Sequence, residues 1–267
     1  MAWMEIRAGT RVLITGASRG IGRGLCEAFA ARGATVGLVS RSEDELRDLA
    51  GRLPAPPAGS GHEVLVADVG DRDEVTAAIE RFGEVDVVVA NAGVAHYAPF
   101  KDMDLESIER MTRVNWLGTV YTVHAALPGM LERLRGHLVV VSSGAALRSF
   151  PQAAAYGATK AAQRGFAEAL WHELAGTGVD VTIVYPGEIA TEIHAHERGS
   201  LPTWRTVAEE ADADALAGRV LAAIENQDRA VYYPPFVQAL RGAHGLSPRV
   251  ADFALRRMRG ITAAPRR

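Results

Sequence analysis

The chain repeatedly sets short runs of Val, Ile and Leu between longer segments with helical spacing, and this alternation restricts its fold more than any other feature. Seven runs read as strands: Arg11–Thr15, Ala34–Ser40, Glu63–Ala67, Val85–Ala90, His137–Ser142, Val179–Tyr185 and the short Ala230–Tyr233. They are continuous apolar runs rather than apolar/polar alternations. That pattern indicates strands covered on both faces, which means a parallel sheet between helices. Helical patterns run from the turn after the first strand to about Ala31, over Arg41–Leu53, from Leu105 to about Leu134, and over Tyr156–Ala175. Ser42 and Glu45 have capping-box spacing. Pro128 predicts a kink or a restart in the third helix. Alternating strands and helices predict an α/β fold: a doubly wound parallel sheet of about seven strands with helices on both faces. Such sheets bind ligands beyond the carboxyl ends of their strands, where strand order switches.

The 267 residues suit one domain over 1–267, with no internal repeat and no separating linker. Within it, 192–207 reads as a substrate lid loop and 236–267 as a basic C-terminal extension. A net charge of −3 argues against nucleic acid as a partner. Cys26 is the only cysteine, so an intrachain disulfide and a multi-cysteine metal site are excluded. Its neighbours Leu25, Phe29 and Ala30 make it a core residue. The chain shows no basic-then-apolar leader and no run of 18 apolar residues. A cytoplasmic setting is the expectation.

The turn after the first strand reads Thr15-Gly16-Ala17-Ser18-Arg19-Gly20-Ile21-Gly22. Gly16 permits a tight turn, Gly20 lets backbone approach a pyrophosphate, and Gly22 permits close helix–sheet packing. The helix that follows offers unpaired N–H groups and a positive dipole end to phosphates. The spacing is G-x-x-x-G-x-G, and its place between a strand and a helix points to a dinucleotide site. The second strand ends Val39-Ser40-Arg41, with no acid before Glu43. An acid there would hold the adenosine ribose of NAD. Arg19 and Arg41 instead suit a 2′-phosphate. The expected cofactor is NADP(H), with NAD(H) second.

Tyr156 and Lys160 stand at i and i+4, on one helix face. A free phenol, with a pKa of about 10, is a poor base near neutral pH. A nearby ammonium favours the phenolate, so Lys160 would tune Tyr156. Ser143 lies just past the fifth strand, at the sheet edge where ligands sit, and would hold a substrate oxygen beside the phenol. Ser142 is the alternative; the spacing favours Ser143.

With these residues in view, the chain resembles the short-chain dehydrogenase/reductase family in its single-domain form, over roughly residues 8–235. The resemblance rests on Thr15–Gly22, Asp68-Val69, Asn91-Ala92-Gly93, Asn115, Ser143, Tyr156/Lys160, and Pro186-Gly187 followed by Thr191. It implies a Rossmann-like fold. It implies that Asp68 and Val69 contact adenine, and that Asn91, Ala92 and Gly93 line the cofactor. Ala90 precedes them where many relatives carry a second Asn. It further implies that Asn115 holds a relay water linking Lys160 to solvent, and that Pro186, Gly187, Ile189 and Thr191 surround the nicotinamide. Glu188 in that turn receives no catalytic role. The implied chemistry is hydride exchange between NADP(H) and a small-molecule carbonyl or alcohol. Ser143 and Tyr156 hold its oxygen, Tyr156 delivers the proton, and no metal is needed. The resemblance also implies a homodimer or homotetramer built through the helices holding Asn115 and Tyr156.

Further pocket walls expected from the sequence are Ile193, Leu201, Trp204, Tyr97, Phe100, Ala145–Phe150 and Tyr185. His194 and His196 have H-x-H spacing, but in the lid a metal site is not expected. Thr206 and Glu209 resemble a capping box. From Arg241 to Arg267 there are seven arginines and one acid, Asp252. Ser247-Pro248 looks like the start of a short basic amphipathic helix. Such a helix docks on the domain or a second copy, lies on an anionic membrane surface, or meets an acidic partner. Candidate substrates are 3-oxoacyl groups, keto lipids, steroids and small ketones. Two other readings are a catalytically silent dinucleotide-binding scaffold, and epimerisation or dehydration with tightly held NAD.

Overall fold

A computed structural model of the chain describes residues 4–57, 61–189, 211–247 and 249. Seven parallel strands form one sheet in the order β3-β2-β1-β4-β5-β6-β7. They are β1 Arg11–Thr15, β2 Thr35–Ser40, β3 Glu63–Val66, β4 Val87–Ala90, β5 Gly136–Val141, β6 Val179–Pro186 and β7 Ala230–Tyr233. Strand order switches between β1 and β4, and the cavity described below opens there.

The helices are α1 Gly20–Ala31, α2 Glu43–Arg52, α3 Arg72–Phe82, α4 Leu105–Met111, α5 Gly118–Glu132, α6 Ala154–Glu173, α7 Ala213–Glu225 and α8 Pro235–Leu246. Alternate strand residues feed two cores. Val12, Ile14, Val87 and Val89 pack on Leu25 and Phe29 of α1, Leu46 and Leu49 of α2, and Leu216 and Val220 of α7. Leu13, Val88, Leu138 and Val140 pack on Val75 and Ile79 of α3, Val123 and Met130 of α5, and Leu170 of α6. Each such Val or Leu contributes about 1.5–3 kcal/mol on burial. Cys26 is wholly buried in the first core, and burial pushes its thiol up.

Several local expectations change. Ser42 precedes α2 but makes no side-chain cap; its N–H donates to Ser40 Oγ at 3.2 Å. The helix runs through Pro128 to Glu132, and the irregularity lies upstream, in a π-helical segment over Thr112–Leu117. α3 and α8 were not expected from the sequence. Asp71 caps α3 by accepting from the N–H groups of Asp73 and Glu74 at 2.9 and 3.1 Å. α8 occupies the first part of the segment set apart as an extension. α7 begins after Asp212, whose side chain accepts from Asp214 N–H. Thr206, Glu209, the lid 192–207, Pro248 and 250–267 lie outside the described residues.

Candidate active site

The carboxyl ends of β1, β4, β5 and β6 meet along one edge, so the segments after them line a single cavity. Gly16, Ser18, Arg19, Gly20 and Ile21 line it from the first turn. Gly16 and Gly20 hold φ of +67° and +56°, a region glycine adopts without a Cβ penalty. A Cβ on Gly22 would lie 2.1 Å from the Gly16 carbonyl, so Gly22 stands behind the turn and lets it fold. α1 carries no acid in its first turn, which leaves its positive end unopposed.

Arg41 and Asp68 line the same end and approach each other at 3.7 Å, both half-exposed. Asp68 also accepts from Gly70 N–H at 2.8 Å, and Val69 lies beside it on the cavity wall. Asn91, Ala92 and Gly93 line the middle. The Asn91 amide donates to the carbonyls of Thr15 and Gly16 at 2.9 and 3.2 Å. Asn91 therefore fastens the end of β4 to the glycine turn.

At the far end lie Ser143, Tyr156, Lys160, Pro186, Gly187 and Ile189. Thr191 lies outside the described residues. Ser142 and Ser143 divide their work. Ser142 Oγ donates to the Lys160 carbonyl at 2.9 Å and is buried. Ser143 Oγ accepts from Ala145 N–H at 3.1 Å, which leaves its own proton to donate. Lys160 Nζ donates to the Val141 carbonyl at 3.0 Å and stands 5.9 Å from the Tyr156 ring centroid. Burial pushes its ammonium down to about 7. Tyr97 meets the Tyr156 ring edge-on, at 5.7 Å and 68°.

Asn115 lies behind the cavity, fully buried in the π-helical segment. Its Oδ1 accepts from Val94 N–H at 2.8 Å; its Nδ2 donates to the Val94 carbonyl and to Thr159 Oγ1 at 2.9 and 3.0 Å. Its carbonyl accepts from Thr119 Oγ1 and Gln163 Nε2 at 2.8 and 2.9 Å. One Oδ1 lone pair remains. A Cβ on Gly93 would stand 3.4 Å from Asn115 Oδ1 and 3.5 Å from Lys160 Nζ, so the glycine keeps a side chain away from both.

A family model described as short chain dehydrogenase matches residues 10–201, most of the chain. The chain belongs to the short-chain dehydrogenase/reductase family. An uncharacterized oxidoreductase of Myxococcus xanthus is 38% identical to this short-chain dehydrogenase over 264 residues, covering 97% of this chain and all of that protein. An uncharacterized oxidoreductase of Staphylococcus saprophyticus is 35% identical, covering 68% and 79%. Among solved structures, a Burkholderia cenocepacia short chain dehydrogenase in complex with NADP superposes with a TM-score of 0.80. It is 27% identical and covers 98% of this chain and 100% of that one. A 3-oxoacyl-[acyl-carrier protein] reductase from Brucella melitensis with bound NAD gives 0.72 at 32% identity, covering 87% and 96%.

In this short-chain dehydrogenase the expected pocket walls divide. Tyr97, Ala145 and Phe150 line the cavity. Phe100 is 68% exposed, and Tyr185 is buried in the sheet core, stacked on Tyr232 at 4.9 Å. Ile193, Leu201 and Trp204, like His194 and His196, lie outside the described residues. Phe236, Val237 and Leu240 of α8 line the cavity and were missed. Their signal was legible: Pro235 at a first helical position, then apolar residues at helical spacing. Among the described residues, no group of three or more His, Cys, Asp and Glu is placed to hold a metal. No helix among them is long and apolar enough to cross a membrane.

Proposed function

We propose that this short-chain dehydrogenase is an NADP(H)-dependent oxidoreductase that interconverts a ketone and a secondary alcohol. The observation that carries this reading is one continuous cavity running from Arg19 and Arg41 to Ser143, Tyr156 and Lys160. Its first half fits a dinucleotide. The glycine turn has no Cβ where phosphates would approach, and the unopposed helix end and two guanidinium groups favour anions. Solved relatives carry NADP or NAD. Arg19 and Arg41, with no acid at the end of β2, favour NADP(H) here.

When bound, the nicotinamide supplies or accepts the hydride. Ser143 directs its free proton to the substrate oxygen. Tyr156 donates its phenolic proton to that oxygen during reduction and withdraws it during oxidation. While protonated, Lys160 places positive charge beside Tyr156, favouring the phenolate. Asn115, near Lys160 at Gly93, would hold the water of a proton relay. Pro186, Gly187 and Ile189 of the cavity lining, with Thr191 beyond the described residues, would hold the carboxamide end.

The substrate is a small molecule. Its side of the cavity is walled by Val94, Tyr97, Phe150, Phe236 and Leu240, which supports an apolar carbonyl compound such as a keto lipid or 3-oxoacyl group. The reading includes a cytoplasmic homodimer or homotetramer, with peripheral membrane contact through the basic C-terminal segment. The test follows NADPH absorbance across ketone classes, with NADH in parallel. Oxidation of NADPH by apolar ketones, faster than of NADH, is the expected result. A clear preference for NADH overturns the cofactor assignment, and no turnover of any ketone overturns the reaction.

A further inference from the structure

Gln163 follows Lys160 by three residues and Tyr156 by seven, so the three share one face of α6. It is fully buried and lies away from the cavity lining. Its Nε2 donates to the Asn115 carbonyl at 2.9 Å and to Thr119 Oγ1 at 2.7 Å. The Thr119 hydroxyl donates to the same carbonyl at 2.8 Å. Every proton in this triangle has an acceptor, and both lone pairs of the Asn115 carbonyl are used. A flipped amide would set Oε1 against that carbonyl, acceptor to acceptor, so the orientation follows from the network.

The other end of Gln163 pays no such return: Oε1 is buried with no hydrogen-bond partner. A Leu or Met would fill the space without burying an unpaired oxygen. The amide is explained by what its nitrogen holds. Asn115 lies within the π-helical segment, a departure from regular helix pairing. Asn115 in turn clamps Val94, on the loop after β4, and Thr159, whose hydroxyl donates to the Tyr156 carbonyl at 2.8 Å.

We propose that Gln163 is a positioning residue for the carbonyl chemistry. It locks the π-helical segment, through the Asn115 carbonyl and Thr119, to the helix bearing Tyr156 and Lys160. The proposal rests on the ketone–alcohol reading above.

The test compares wild type, Gln163→Leu and Gln163→Glu with NADPH and the best ketone from the screen. Gln163→Leu should lower kcat roughly 10- to 100-fold, as expected for a small misplacement of reacting groups. Its KM for NADPH should stay within about twofold of wild type, since the nucleotide contacts are elsewhere. Gln163→Glu keeps the shape but donates only when protonated. It should approach wild-type kcat at low pH and lose it as pH rises, a limb the wild type lacks. Wild-type kcat in Gln163→Leu overturns the proposal. So does a Gln163→Glu profile parallel to wild type, which also decides the matter should Gln163→Leu fail to fold. If wild type reduces no ketone, the reaction reading fails separately. The readout is then phenolate absorbance, taken as the difference between each protein and its Tyr156→Phe counterpart. The Tyr156 midpoint should rise by about half a pH unit or more in Gln163→Leu, because a displaced Lys160 amine gives the phenolate less hydrogen-bond support. An unmoved midpoint overturns the proposal.

Discussion

A phenol near neutral pH holds its proton too firmly to act unaided, so the surroundings of Tyr156 decide its use. Tyr97 braces its ring, and Lys160 approaches from one turn on, anchored through the Val141 carbonyl. Tyr156→Phe should therefore lose roughly 10²- to 10⁴-fold in kcat while NADPH binding, followed by nucleotide fluorescence, stays near wild type. Normal turnover in that variant would remove Tyr156 from the chemistry. Replacing Arg19 and Arg41 together by Ala should weaken NADPH roughly 10- to 100-fold and leave NADH nearly unchanged, since the loss falls on charge-assisted bonds to one phosphate. Equal weakening of both nucleotides would speak against a 2′-phosphate site. At this scale Tyr156, Lys160 and Ser143 were legible because each stands at a strand end or on a shared helix face. The duties of Asn91 and Asn115 were not. Their partners, Thr15 and Val94, lie 76 and 21 positions away, and only the folded sheet brings them together.

All seven strands were legible as runs of Val, Ile and Leu, and β1 and β7 have the expected ends. Boundaries elsewhere moved by one or two residues, where pairing rather than composition decides them. α3 was missed although Val75, Ala78, Ile79 and Phe82 follow helical spacing. Its start depends on a cap, and Asp71→Ala should cost about 1 kcal/mol, measured as a lower denaturant midpoint with an unchanged slope. An unchanged midpoint would show that packing alone holds α3. The π-helical segment has no sequence signature in this reading. It is held by side chains of α6 that reach across to it, an interaction that local propensity does not encode.

The sheet as a whole also sets the acid response. His137 is buried in β5 with Nε2 at 2.8 Å from Thr182 Oγ1. Thr182 gives its own proton to the Asp228 carbonyl, so Nε2 carries the imidazole proton and Nδ1 is left bare and buried. Burial lowers the His137 pKa from 6.5 to about 4. Between those values the unfolded chain binds a proton that the folded chain refuses, so stability falls as pH drops from about 6.5 toward 4, by about 3 kcal/mol. Chemical denaturation across that range should show the slope in wild type and a shallower one in His137→Leu; identical slopes would clear His137. Lys160, lowered from 10.5 to about 7, acts with the same sign in the higher window between those values. A different property follows from α8. The matched family region ends at residue 201, whereas Phe236, Val237 and Leu240 stand against the reacting end of the cavity. On the proposed reading, the groups for moving hydride and proton lie in one stretch of chain, and part of the substrate's surroundings in another. If so, exchanging the helix over 235–246 should alter what fits while leaving Ser143, Tyr156 and Lys160 in place, so new substrates could be explored without rebuilding the engine.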